Sequence, residues 1–273
     1  MYSSSLRARA PLSTDQVMRM APSAFAQVEH KAKVSDKYQF IPTTKVMDIL
    51  QTEGWFPVMA KQSRSKTQEG RDFVKHMISF QNESVAKVGD SVPELILTNS
   101  HNGSSAFNIM AGLYRLICSN GLVVCDANFG AVSVRHIGFE PSNIIEASYK
   151  VIEQVPMLAE SVNRMRDVTL SRDEQVALAS AALLVKYDAD KSPLTPEQLL
   201  LTRRAEDRDG SLWSTFNGIQ ENLIKGGLRG ITTNELGQRR RAKTREVKSV
   251  NENLRINKAL WTLAEEMRKL KVA

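Results

Sequence analysis

Hydrophobic spacing along this chain changes character at Pro141. Between Asp72 and Phe139 the apolar residues fall in short runs broken by Asn, Asp and Gly, whereas beyond Pro141 they recur every three or four residues. The first pattern predicts strands and tight turns, and the second predicts helices. DFVKHMISFQ and VPELILTNS read as two strands, and GLVVCDANFGAVSVRHIGF supplies two more around a turn at Asp126–Asn128. Between the pairs, SSAFNIMAGLYRLI places Phe107, Met110, Ala111, Tyr114 and Ile117 at helical spacing, which predicts a helix. The fold class expected is therefore α+β: a central β-β-α-β-β unit with a small, mostly antiparallel sheet, followed by a predominantly helical C-terminal half.

Residues 1–39 are weakly patterned and read as a partly flexible N-terminal arm. The α+β core is expected over 40–140, and helices packing on it over 141–273. Ahead of the strands, IPTTKVMDILQTEGW predicts a short helix capped by Thr43 or Thr44, buried through Val46, Ile49 and Leu50, and ended by Gly54. GWFPV follows with aromatics at or near the surface, and Lys61–Asp72 is polar enough to be a solvated loop or a crossing between strands. In the helical half, Pro156 should kink the segment 143–166 or break it at Val155. Ser171 with Glu174, and Thr195 with Gln198, form capping-box patterns. SLWSTFNGIQENLIKGG should stop at Gly226-Gly227, and a last helix should run from Val250 to Leu270.

Composition narrows the class. With 42% hydrophobic and 25% charged residues, the chain of 273 has a globular balance and not that of a disordered one. A formal charge of +7 permits an anionic partner such as nucleic acid. Two cysteines, Cys118 and Cys125, are too few for a disulfide framework or a four-cysteine zinc site. The first residues lack the apolar core of a secretory signal, and no run of 18 apolar residues suggests a membrane span, so a cytoplasmic protein is expected.

Candidate chemistry concentrates in LTNSHNGSSAF. Asn99, Ser100, His101, Asn102, Gly103 and Ser104 form a turn leading to the expected helix start, whose free amides could hold an anion. His101 could donate to a phosphate or act as a base, with Asp126 as a partner or magnesium ligand. No G-x-S-x-G elbow surrounds Ser104, no H-E-x-x-H links His30, His76, His101 and His136, and no nucleotide-binding glycine motif is present. No metal and no cofactor are expected. CSNG (118–121) should end the helix, with Arg115 in its last turn, set against the helix dipole or reaching for a phosphate.

The strongest electrostatic feature is a basic loop or hairpin at 228–249. Between Gly230 and Val250, Arg239, Arg240, Arg241, Lys243, Arg245 and Lys248 outnumber Glu235 and Glu246 by four. With Arg229 these residues suit contacts to a phosphate backbone, and Arg7, Arg9, Arg203 and Arg204 could extend the field. Trp55, Tyr114 and Phe129 are candidates for stacking on bases.

LTNSHNGSSAF, GLYRLICSNGLVV, FNGIQENLIKGG after Trp213, and VNENLRINKALW together resemble domain-of-unknown-function family 932, from about Phe40 to Ala264. The resemblance implies a soluble product of phage or plasmid DNA. Through a remote similarity to phage single-strand annealing recombinases, it also implies single-stranded DNA binding without ATP, by a homo-oligomer. The expectation is thus a DNA-binding protein of recombination or replication and not an enzyme. The alternatives are a metal-dependent nuclease using His101, or a host-interaction protein with a protein partner.

Overall fold

Turns at Asn, Asp and Gly cut the first half of the chain into strands, and six of these join one sheet. The computed structural model describes residues 10–30, 34–36, 38–65, 67–115, 120–124, 132–134, 141–189, 191–234 and 237–272. Cys118, Cys125, Asp126, Phe129, His136, Arg7 and Arg9 lie outside the described residues. The chain divides into two units, Met1–Pro156 and Met157–Ala273. Among the described residues no helix is long and apolar enough to cross a membrane.

In the first unit β1 (Phe56–Gln62), β2 (His76–Gln81), β3 (Ser91–Asn99), β4 (Phe107–Arg115) and β5 (Asn120–Val124) lie in that order, each antiparallel to its neighbours. The far edge of β4 is shared: β5 pairs with Ala111–Arg115, and β6 (Val132–Val134) pairs with Phe107–Ile109. Proline placement fits this topology. Pro57 sits on edge strand β1 at a bulge, and Pro93 lies where β3 has β4 beside it but has passed the end of its pairing with β2.

Two sequence expectations are corrected here. The segment expected to be the central helix is strand β4, so the middle of the unit is a strand meander. Seven of its nine residues are buried, with Asn108 and Tyr114 half-buried. A strand covered on both sides shows a nearly continuous apolar run, whose spacing fits either period. Eight register pairs with β3 decide the outcome. The second correction is β1: the chain from Phe56 was expected to lead into a loop, yet it pairs with β2, and Trp55 before it is 1% exposed.

Helices complete the first unit. α1 (Thr14–Met20) carries a capping box from Ser13 and Gln16, within the stretch that looked unpatterned, and Leu12 bonds through its N–H to the Pro57 carbonyl. α1 and α2 (Thr43–Thr52) lie against β1, and α3 (Pro141–Glu153) lies against β3 and β4. α3 stops at Glu153 and α4 (Val155–Asp167) starts two residues on, where Pro156 was expected to break the helix.

The second unit is arranged around α7 (Leu212–Lys225), with twelve of its fourteen residues buried. α5 (Arg172–Lys186), α6 (Pro196–Leu199) and α8 (Val250–Val272) pack around it. Both expected capping boxes, at Ser171 and Thr195, are formed. Trp213 stacks on Phe216 at 5.7 Å between centroids, and Phe216 meets Trp261 edge-on at 6.1 Å.

A helix buried this thoroughly leaves few of its polar side chains to water, so its amides and its carboxylate need partners inside the protein. Asn217 donates to the Trp213 carbonyl at 2.7 Å, and Gln220 donates to Asn257 at 2.8 Å. Asn222 donates to the carbonyls of Leu199 and Leu201, both at 2.8 Å, and accepts from Arg203 Nε at 2.8 Å. Burial opposes ionisation of Glu221, but hydrogen bonds from Arg204 and Lys225 outweigh it and hold its carboxyl below the usual range. Replacing Asn222 by Ala removes three of these bonds and should lower the unfolding free energy by about 3 kcal/mol in urea titrations; a loss below about 0.5 kcal/mol would contradict this assignment.

Candidate functional site

His101, the first candidate for chemistry, is fully buried and belongs to a polar cluster inside the first unit. The β3–β4 turn brings it beside His76, the first residue of β2, with 5.3 Å between ring centroids. Thr43 was expected as a cap for α2 but is the first helical residue; the N-cap is Pro42, which has no side-chain donor or acceptor. The Thr43 hydroxyl instead lies 2.9 Å from His76 Nε2 and 3.5 Å from His101 Nε2, and accepts from Asn99 Nδ2 at 3.0 Å. Asn99 also donates to the Ile41 carbonyl at 3.1 Å, and Ser23 Oγ lies 3.1 Å from His76 Nδ1. The Val74 carbonyl, 3.4 Å from His76 Nδ1, can only accept, which favours a neutral His76 with its proton on Nδ1 and Nε2 accepting from Thr43.

The turn itself is closed by its own groups. Ser100 Oγ accepts from the Ser105 amide at 3.0 Å, Asn102 Oδ1 accepts from the Ser104 amide at 3.1 Å, and Gly103 has φ +70°. A β-strand follows, so the expected helix start and its anion-binding amides do not exist here. The backbone of His101 is held on both sides, donating to Phe73 and accepting from His30. Tyr38 donates to the Ser100 carbonyl at 3.1 Å; burial, assisted by Glu29, pushes its hydroxyl up to about 12. These residues tie α2 and the chain before it to the sheet. Among the described residues no group of three or more His, Cys, Asp or Glu is placed to hold a metal.

Arg115 is also turned inward. It ends β4, is 5% exposed and is ion-paired with Asp90, so it does not belong to an exposed basic surface. Arg203 and Arg204 are spent on Asn222, Gly226 and Glu221, and Trp55 is core.

The basic segment is different. β7 (Arg229–Thr233) and β8 (Arg239–Lys243) form an antiparallel hairpin in register Arg229↔Lys243, Ile231↔Arg241 and Thr233↔Arg239. Residues directly opposite share a face, so Arg229, Arg239, Arg241 and Lys243 lie together with Ile231, which is 45% exposed. The other face carries Gly230, Ala242, Thr232 and Arg240. Gly230 fits closely: a Cβ there would lie 1.9 Å from the Pro193 carbonyl oxygen, which accepts the Ile231 amide at 2.8 Å. Arg229, Arg239, Arg240, Arg241, Lys243, Arg245 and Lys248 are all exposed, and none has an ion-pair partner among the described residues. Elsewhere in the unit Arg164, Arg204, Arg255 and Arg268 are paired. Charge clustering had marked this surface in the sequence; the division into two faces needs the register.

Two outcomes follow. Desolvation, with the neighbouring His101 adding to it, lowers the His76 pKa from 6.5 to about 3. The unfolded chain therefore binds the extra proton first, and stability falls as pH drops through 6.5, levelling off near 3. Between pH 7 and 5 this amounts to about 2 kcal/mol, which His76→Gln should remove from the wild-type pH dependence of urea unfolding. An unchanged dependence would contradict it. Gly230→Ala should destabilise the protein by about 2 kcal/mol and expose the hairpin to proteolysis, since its Cβ meets backbone.

The model of the family described as "Domain of unknown function (DUF932)" matches residues 30–261. The UPF0380 protein YafZ of Escherichia coli (strain K12) is 39% identical over 262 residues, covering 96% of this chain and 93% of that protein. The UPF0380 protein YfjQ of the same organism is 38% identical with the same coverage. No solved structure matches. By the family model's extent and by identity over nearly its whole length, this chain belongs to the DUF932 family.

Proposed function

We propose that this protein binds single-stranded DNA through the outer face of the β7–β8 hairpin and acts, without ATP hydrolysis, as an oligomer in strand annealing during recombination or replication of mobile DNA. The supporting observation is the set of exposed cations on and beside the hairpin with no ion-pair partner among the described residues. A protein that held these charges for solubility alone would not need four on one face of one hairpin. Cations there neutralise phosphates and release counterions, which gives salt-dependent affinity with little sequence preference. Exposed Ile231 offers an apolar surface among them for an unpaired base. Annealing and mobile-DNA context rest on the family resemblance; the binding surface rests on the geometry.

In fluorescence anisotropy with a labelled single strand, Arg239→Ala, Arg241→Ala and Lys243→Ala together should weaken binding. They should also lower the slope of log affinity on log salt by about 2, at about 0.7 for each lost phosphate contact. Arg240→Ala, on the opposite face, should change the slope by less than about 0.5. Equal affinity and slope in the folded triple variant would overturn the reading. Tighter binding to duplex than to single strands would replace the ligand, and absence of any nucleic-acid binding would turn the surface over to an acidic protein partner.

A further inference from the structure

Gly218 lies in the middle of α7 and is buried, yet a Cβ built on it would meet nothing within 4 Å. The space beside it is a cavity of about 240 Å³, lined among others by Arg172, Asp207, Arg208, Ser214 and Thr215. Local backbone pairing creates it. Leu170 donates to the Gly210 carbonyl and Leu212 to the Val168 carbonyl, which sets the first turns of α5 and α7 side by side. Both helices direct their positive ends to this region.

The lining holds two hydroxyls that make no hydrogen bond among the described residues. These are Ser214, 3% exposed, and Thr215, 8% exposed. Neither oxygen is fully sealed off, so each can take a partner from the cavity. They stand with Gly218 on one helical face, so all three meet the cavity. Arg208 makes no ion pair among the described residues, and Arg172, exposed at the start of α5, makes one weak contact, with Gln175 Oε1 at 3.3 Å, while also facing Glu197. Asp207 is 5% exposed and lies 3.9 Å from Arg204.

The cavity therefore has an anion-seeking pole, made of two guanidinium groups, two hydroxyls and two helix starts. Its second pole, the Asp207 carboxylate, repels a further anion and accepts from hydroxyls. We propose that it binds a phosphate monoester carried on a hydroxylated five-carbon sugar, with the phosphate between Arg172, Arg208, Ser214 and Thr215 and the sugar hydroxyls toward Asp207. The volume is that of about eight waters, which suits a sugar phosphate and leaves a base outside. This chemistry is found in a free sugar phosphate and at the 5′ end of a polynucleotide. The site does not depend on the hairpin, whose triple alanine variant should bind ribose 5-phosphate as the wild type does.

Calorimetric titration of the full chain tests the site. Ribose 5-phosphate should bind the wild type at least tenfold more tightly than inorganic phosphate does. Gly218→Leu, which fills the space from a position with no Cβ contact, should abolish binding, and Thr215→Val should weaken it about tenfold. Thr215→Val carries the test if Gly218→Leu does not fold. A 5′-phosphorylated oligonucleotide that outbinds its 5′-hydroxyl counterpart, with the advantage lost in Thr215→Val, supports the site with a strand end as its source. Equal binding of the two oligonucleotides, with ribose 5-phosphate still bound, supports it with the free sugar phosphate. No binding of ribose 5-phosphate, binding no tighter than inorganic phosphate, or undiminished binding in Thr215→Val overturns it.

Discussion

A buried polar group without a partner is costly, and this constraint organises both units. In the first unit it takes the form of Thr43, His76, Asn99 and Ser23, whose mutual hydrogen bonds fasten α2 and the chain before it to the sheet. In the second it appears along α7, where Asn217, Gln220, Glu221 and Asn222 lie in a helix buried on every side. Gln220, Glu221 and Asn222 are matched to an amide, a guanidinium and carbonyls from other segments, and Asn217 to a carbonyl one turn back in the helix itself. The polar residues of the motifs that carried the family resemblance, NSHNG and FNGIQEN, are thus largely the residues that hold the scaffold together.

This alters where function should be sought. Residues committed to internal hydrogen bonds are poor ligands, because binding would have to break bonds already made in a medium where they are strong. His101 and Arg115 drop out of the candidate surfaces for that reason. What remains are groups the scaffold leaves unmatched: the outward cations of the hairpin, and the hydroxyls and arginines around the space at Gly218. Both lie in the second unit, and both have the chemistry of phosphate recognition.

Local signals were readable wherever local physics decides the structure. The capping boxes at Ser171 and Thr195, the break at Pro156 and the stop at Gly226 involve residues close in sequence, and each stands as expected. The same pattern at Ser13 and Gln16 caps a helix of only seven residues, too short to show a clear apolar period. Elements settled by distant partners were harder to read. β4 has an apolar run compatible with a helix, and only pairing with β3 makes it a strand. The pairing of Arg115 with Asp90, 25 residues away, could not be foreseen from a charge in a presumed helix end. The basic hairpin was legible because charge clustering is itself local, while the cavity was not: a glycine inside a helix pattern reads only as a weak helix former.

Hydrogen–deuterium exchange with and without a single-stranded oligonucleotide tests the central claim most directly. The account predicts slowed exchange in 229–248 on DNA addition, weakening as salt rises, with the amides around Asn99–His101 unchanged. Protection of the β3–β4 turn with an unaffected hairpin would contradict it.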